Sequence, residues 1–225
     1  MISWLWVIPT LPLVSATLLI LLGSRLQRRG VAAMGVGSIG LSALVTVLIA
    51  VSFVTAPPAG HAHTQLLGTW ISVAGFQPQI GLYLDALSLL MLLVVTCVGF
   101  LIHIYAAEFM IEDESYSRYF AYMNLFVASM ITLLLGNNLL LLLLGWEGVG
   151  VCSYLLIGFW YHDPANGRAA RKAFIVTRVG DCAMMIALFL LFTQLGTLQI
   201  QDLMQRASVQ WASGSTYALV AALLL

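Results

Sequence analysis

Charge is what this chain has least of. Asp, Glu, Lys and Arg make up 8% of its 225 residues, against about 25% in an average soluble domain. Its only lysine is Lys172. So little charge argues against a solvated globular surface, and no basic patch suits a nucleic-acid partner. Cysteine is scarce too: Cys97, Cys152 and Cys182 lie inside apolar runs, with no CxxC spacing. They read as small packing residues rather than metal ligands or a disulfide framework. No basic cluster precedes the first apolar run at 4–23; Arg25, Arg28 and Arg29 follow it. That order argues against a cleaved signal peptide and for a retained first helix. No Walker sequence, low-complexity tract or repeat of about 20–50 residues is present.

What fills the chain instead is apolar sequence in bilayer-length runs. Hydrophobic residues are 61% of the total and mean hydropathy is +1.00. Six runs stand out, at 4–23, 31–54, 82–107, 118–136, 139–160 and 173–193. A seventh begins near Trp211 and is still running at Leu225, so the chain reads as the front part of a longer protein. The expected fold is an all-α polytopic transmembrane bundle of six to seven helices. The connection at 55–80, with Pro57, Pro58, Gly60, Gly68, Gly75 and Pro78, predicts a small hairpin that includes Leu66–Val73.

Connections on one side hold Arg25, Arg28, Arg29, Arg118, Arg168, Arg171 and Lys172, whereas those on the other hold only Arg206. The basic side is therefore expected in the cytoplasm, with the N-terminus outside.

Charges inside the apolar runs carry the functional signal. Glu147 is the only acidic or basic residue between 139 and 160. It sits roughly 12 Å into its helix at 1.5 Å per residue, near the bilayer midplane. A carboxylate there costs about 2.5–3.5 kcal/mol on insertion scales, so it marks a proton relay, an ion site or the partner of a buried cation. Burial favours a neutral acid and a nearby cation favours a charged one, so a carboxyl between them can change protonation when its partner moves. The plainer alternative is a static acid that only holds a neighbouring helix.

Gly145, Gly148 and Cys152 form a small-residue stripe beside Glu147 that lets another helix come close. Arg178 and Asp181, three apart, share a helix face with Phe174 and Met185 and can pair. That pair can be structural or can tune a neighbouring acid.

Other residues read as ordinary. His103 and His162 are expected at the membrane interface, and His61 and His63 in the outer connection, so no pair of histidines faces across helices as haem axial ligands would. Asp85 reads as a charge at a helix N-terminus. The string Gly35-Val36-Gly37-Ser38-Ile39-Gly40 matches G-x-G-x-x-G. It lies inside an apolar run with no preceding strand, which fits helix packing and not nucleotide binding.

The strings VGFLIHIYAAEFM, YSRYFAYMNLFVASM, LLLLGWEGVGVCSYLLIGFWY and KAFIVTRVGD resemble the N-terminal part of the chain-5, or L, antiporter-like subunits of bacterial NADH-quinone oxidoreductase, respiratory complex I. The likeness runs from the first helix to Leu225. It implies a multi-pass subunit of the cell inner membrane that takes part in proton translocation alongside other membrane-arm subunits and lipid. The complex would use NADH, FMN, iron-sulfur clusters and quinone in other subunits, with no cofactor, metal or redox centre in this chain.

By the resemblance, Glu147 matches the family's intramembrane glutamate, and Arg178 and Asp181 its arginine–aspartate pair. Residues 1–115 would hold the first three helices with an outer loop at about 55–80, and 116–225 the start of the first antiporter-like repeat. The family pairs its glutamate with a lysine just downstream, and this sequence has no intramembrane lysine. Two rivals stand beside this reading: the large subunit of an Mrp-type cation/proton antiporter, and a structural membrane subunit that carries no protons.

Overall fold

The computed structural model describes residues 2–72, 77–211 and 215–224. The chain runs α1 Val7–Leu22, α2 Arg28–Thr55, β1 Ala62–Thr69, β2 Gln79–Asp85, α3 Ala86–Leu93, α4 Gly99–Phe109, α5 Tyr116–Leu135, α6 Leu139–Ile157, α7 Pro164–Leu195, α8 Ile200–Gln210 and α9 Thr216–Leu224. A π-helical turn, Val94–Val98, joins α3 to α4, so Ala86–Phe109 acts as one span. Among the described residues six helical stretches are long and apolar enough to cross a membrane, as expected of a multi-pass membrane protein.

Local chemistry sets where these helices start. Asp85 caps α3: its Oδ1 accepts from the Ser88 amide at 2.8 Å, and the Ser88 hydroxyl accepts from the Asp85 amide at 2.8 Å. The third helix therefore begins at Ala86 and not at 82, while Leu82 and Leu84, both buried, belong to β2. A short apolar run does not distinguish strand from helix by periodicity, and here the cap decides. The last long helix starts at Pro164 instead of 173, with Asp163 accepting from the Ala165 amide and Pro164 in its first turn. Arg168, Arg171 and Lys172 are thus exposed on helix and not in a loop. The fifth run ends at Ile157, before the expected Trp160.

Glycines set how closely the helices approach. A side chain at Gly145 would come within 2.7 Å of the Leu133 Cα, and one at Gly148 would strike the Ser129 hydroxyl at 2.5 Å, so the stripe beside Glu147 seats α6 on α5. Gly35 and Gly40, in the middle of α2, make room for the Phe120 and Phe100 rings, while Gly37 faces open space. The G-x-G-x-x-G string is a packing surface.

The two ends of the bundle differ. At one end, Arg28 bonds the carbonyls of Ile111 and Asp113, Arg118 bonds the Phe159 carbonyl, and the Trp160 indole bonds Asp113. The three charge-bearing connections therefore gather on one face. At the other end β1 pairs antiparallel with β2. Asn138 ties β2 to the α5–α6 turn through the Gln79 carbonyl at 2.5 Å, and the Leu139 amide bonds the Leu198 carbonyl at 3.0 Å. The hairpin is present, but its second strand runs on to Asp85, past the expected loop end at 80. Val73 of the expected run and Gly75 of the connection lie outside the described residues.

Three further positions are filled in by the structure. His103 is fully buried within the protein: its Nδ1 lies 2.7 Å from the Gly99 carbonyl, which can only accept, so Nδ1 carries the proton. Cys182 is exposed on α7, whereas Cys152 is buried and Cys97 half-buried. The stretch after Leu195 holds α8, a short amphipathic helix that seats Leu203 and keeps Met204 and Val209 outside. The seventh apolar segment, expected from near Trp211, is helical over Thr216–Leu224, and Leu225 lies outside the described residues.

Candidate functional site

The three charges singled out in the sequence come together where α6 meets α7. Arg178 forms an ion pair with Glu147 across the two helices, through its Nη1 and the Glu147 Oε2. The same Nη1 reaches Asp181 Oδ2, one turn along α7, at 3.2 Å. One guanidinium nitrogen thus serves two carboxylates. The Glu147 and Arg178 side chains remain 32% and 23% exposed while that of Asp181 is 5% exposed, so the pair is open on the Glu147 side and closed on the Asp181 side. These are the ion pairs among the described residues.

Neutral groups complete the site. The Trp146 indole N–H donates to Asp181 Oδ1 at 2.8 Å, so both Asp181 oxygens are engaged. The Phe174 ring lies under the guanidinium, with the Arg178 Cζ 4.2 Å from its centroid. Gly150 lets the guanidinium lie against α6, because a side chain there would come within 2.7 Å of Nη2. Arg178 Nε and Nη2 have no hydrogen-bond partner. A cavity of about 230 Å3 opens beside the cluster, lined by Trp146, Gly150, Ser153, Tyr154, Phe174 and Asp181 among others.

Sequence reasoning placed Phe174 on this face but missed Trp146 and Gly150. A tryptophan within a membrane run reads as packing, and Gly150 resembles its neighbours Gly145 and Gly148, which face the opposite helix. The histidines stay apart from the cluster: His103 packs on Phe120 inside α4–α5, His162 stacks on Tyr161 in the connection before α7, and His61 and His63 sit at the start of the hairpin. Among the described residues no group of three or more His, Cys, Asp or Glu could hold a metal ion.

Two family models match the chain: NADH-ubiquinone oxidoreductase (complex I), chain 5 N-terminus, over residues 70–120, and the NADH:quinone oxidoreductase/Mrp antiporter transmembrane domain over residues 136–225. NADH-quinone oxidoreductase subunit L of Escherichia coli strain K12 is 52% identical over 96% of this chain and 35% of its own length. Subunit L of Pseudomonas aeruginosa is 51% identical over 95% of the chain and 35% of its own length. The chain belongs to the complex I subunit L (chain 5) family of antiporter-like membrane subunits. A more distant similarity, 37% over 91% of the chain and 30% of the relative, links it to the chloroplastic NAD(P)H-quinone oxidoreductase subunit 5 of Zygnema circumcarinatum. The chain spans 35% of the length of these two bacterial subunit L proteins.

Proposed function

We propose that this chain carries part of a proton path in the membrane arm of an NADH:quinone oxidoreductase, with Glu147 as the group that changes protonation. The observation that carries the reading is the guanidinium shared between carboxylates on two helices. Protonation of Glu147 removes one of the two anions that hold Arg178 and leaves the cation to Asp181. Loss of that proton draws the cation back across the interface. A proton is thereby coupled to the position of a charge, which a neighbouring carrier group can sense.

In this reading electron transfer runs through NADH, FMN, iron-sulfur clusters and quinone in other subunits, and this chain binds no cofactor. The protein sits in the cell inner membrane with its N-terminus outside, against other membrane-arm subunits and lipid. The gathering of basic connections at one end of the bundle supports the orientation. The site belongs to a repeat that begins near residue 116, after three helices at 1–115.

The test is Glu147→Gln in the full-length subunit within the assembled complex. The amide keeps shape and hydrogen bonding but cannot carry the charge. Assembly and NADH–quinone turnover are expected to persist while the proton-to-electron ratio falls. An unchanged ratio would remove the role given to Glu147, and joint loss of assembly and pumping would favour a purely structural acid.

A further inference from the structure

We infer that Trp146 is a positioning residue: its indole N–H fixes the Asp181 carboxylate so that Arg178 stays shared with Glu147 instead of closing onto Asp181 alone. The inference rests on the proton-path reading above and adds a residue that acts through another.

Its physical basis is the default behaviour of an arginine beside a carboxylate on its own helix. A guanidinium and a carboxylate prefer two parallel N–H···O contacts, at about 2.7–2.9 Å each. Arg178 and Asp181 have the spacing for close contact, yet only Nη1 to Oδ2 forms, and it is long at 3.2 Å. The other oxygen, Oδ1, is taken by Trp146 Nε1 at 2.8 Å. An indole N–H can only donate, so it competes with the guanidinium for the carboxylate and never pairs with it. Being neutral, it does so without adding a charge to the membrane interior.

Helix geometry makes this arrangement natural. Trp146 and Glu147 are consecutive on α6 and therefore point about 100° apart, since a turn holds about 3.6 residues. One reaches Asp181 and the other Arg178, so the two straddle the α7 pair. Gly150, one turn beyond Trp146, leaves space for Nη2, and the two guanidinium nitrogens without hydrogen bonds are not locked in place. Asp181 is thus the fixed end of the cluster and Arg178 the end that can move. The Trp146 ring is itself 49% exposed, so its place is not dictated by core packing alone.

The experiment uses membranes with the assembled complex and the full-length subunit, and reads the proton-to-electron ratio and its pH profile for Trp146→Phe, Asp181→Asn and the double variant. Trp146→Phe removes the donor and keeps an aromatic ring. It should lower the ratio and alter its pH profile. The double variant should show no more loss than Asp181→Asn alone, because the indole acts only through that carboxylate. An unchanged ratio in Trp146→Phe, or losses that multiply in the double variant, overturns the inference.

If Trp146→Phe does not accumulate, Trp146→His, which retains a ring N–H, decides: a ratio near that of the parent upholds the inference and a lowered one overturns it. Glu147→Gln separates the two levels. A lowered ratio there with an unchanged one in Trp146→Phe sinks the positioning role alone, whereas an unchanged ratio in Glu147→Gln sinks the proton-path reading beneath it.

Discussion

Two polar clusters lie inside this bundle and solve the same problem differently. Between α2 and α5, Asn124 is fully buried and completely satisfied: Oδ1 accepts from the Ser38 hydroxyl at 2.5 Å, and Nδ2 donates to the carbonyls of Gly35 and Phe120 at 3.2 and 2.9 Å. Between α6 and α7, Arg178 shares one nitrogen between two acids and leaves Nε and Nη2 without hydrogen bonds. A neutral, closed network has one good arrangement and rigidifies the helices around it. A charged, incompletely bonded one has alternatives of similar energy. The difference teaches where rearrangement is easiest: α2–α5 is the closed network, and α6–α7 is the open one on which the proposed proton path rests.

The comparison breaks most visibly at Arg178. Arg178→Met leaves Asp181, 4% exposed, without its cation, and stranding a buried charge costs about 3–5 kcal/mol. Little assembled complex is expected in membranes, measured by blue-native electrophoresis. Arg178→Lys keeps the charge but not the planar fork, so assembly should survive with a reduced proton-to-electron ratio. If Arg178→Met assembles and pumps normally, the cluster is neither structural nor functional and the contrast collapses.

A smaller effect is expected at Asn124. Asn124→Leu keeps the volume and removes three contacts, yet the Ser38 hydroxyl, freed from Asn124, can donate to the Gly35 carbonyl 2.9 Å away. Hydrogen bonds between helices in membranes average about 0.6 kcal/mol each, so the loss should be on the order of 1 kcal/mol. Thermal inactivation should come a little earlier and the proton-to-electron ratio should not change. A changed ratio would mean that the scaffold half also takes part in coupling.

Much of this contrast was legible in the sequence, though unevenly. Glu147, Arg178 and Asp181 stand out because charges in apolar runs are rare, and the three-residue spacing on one helix already pairs Arg178 with Asp181. Their union across helices needed the structure, since it depends on how α6 and α7 are rotated. Both helices are apolar nearly all round, and such sequences do not fix rotation by periodicity. That is also why Gly150 was not separable from Gly145 and Gly148, two of which face α5 while the third faces Arg178. The burial of His103 was not legible for a related reason: its position near a helix end says nothing of which way the ring turns, and the Gly99 carbonyl gives it a buried partner. Polar caps rather than hydropathy set the starts of α3 and α7, so apolar-run boundaries erred there and α8 went unnoticed.

Asp85 offers the gentlest test, because it is a carboxylate of the satisfied kind. The Ser88 backbone amide, its strongest influence, holds its carboxyl below the ordinary value of 3.8, with the Ser88 hydroxyl acting in the same direction against desolvation. A carboxyl lowered in the folded state stabilises fully above its unfolded value and loses that contribution as pH falls through the folded one. The protection factor of the Ser88 amide hydrogen against exchange should therefore fall below about pH 4, the unfolded range of an aspartate. Asp85→Asn keeps a capping oxygen and should abolish the acid step while changing little at neutral pH. Asp85→Ala should cost about 0.5–2 kcal/mol at the start of α3 at every pH where the acid is charged. None of these should touch the proton-to-electron ratio, because the amide and hydroxyl of Ser88 hold Asp85 Oδ1 within its own helix start and Asp85 forms no ion pair among the described residues. A pumping defect in Asp85→Asn would show that a carboxylate held in a local helix cap can still carry function, and the contrast between closed and open clusters would then be the wrong guide to where protons move.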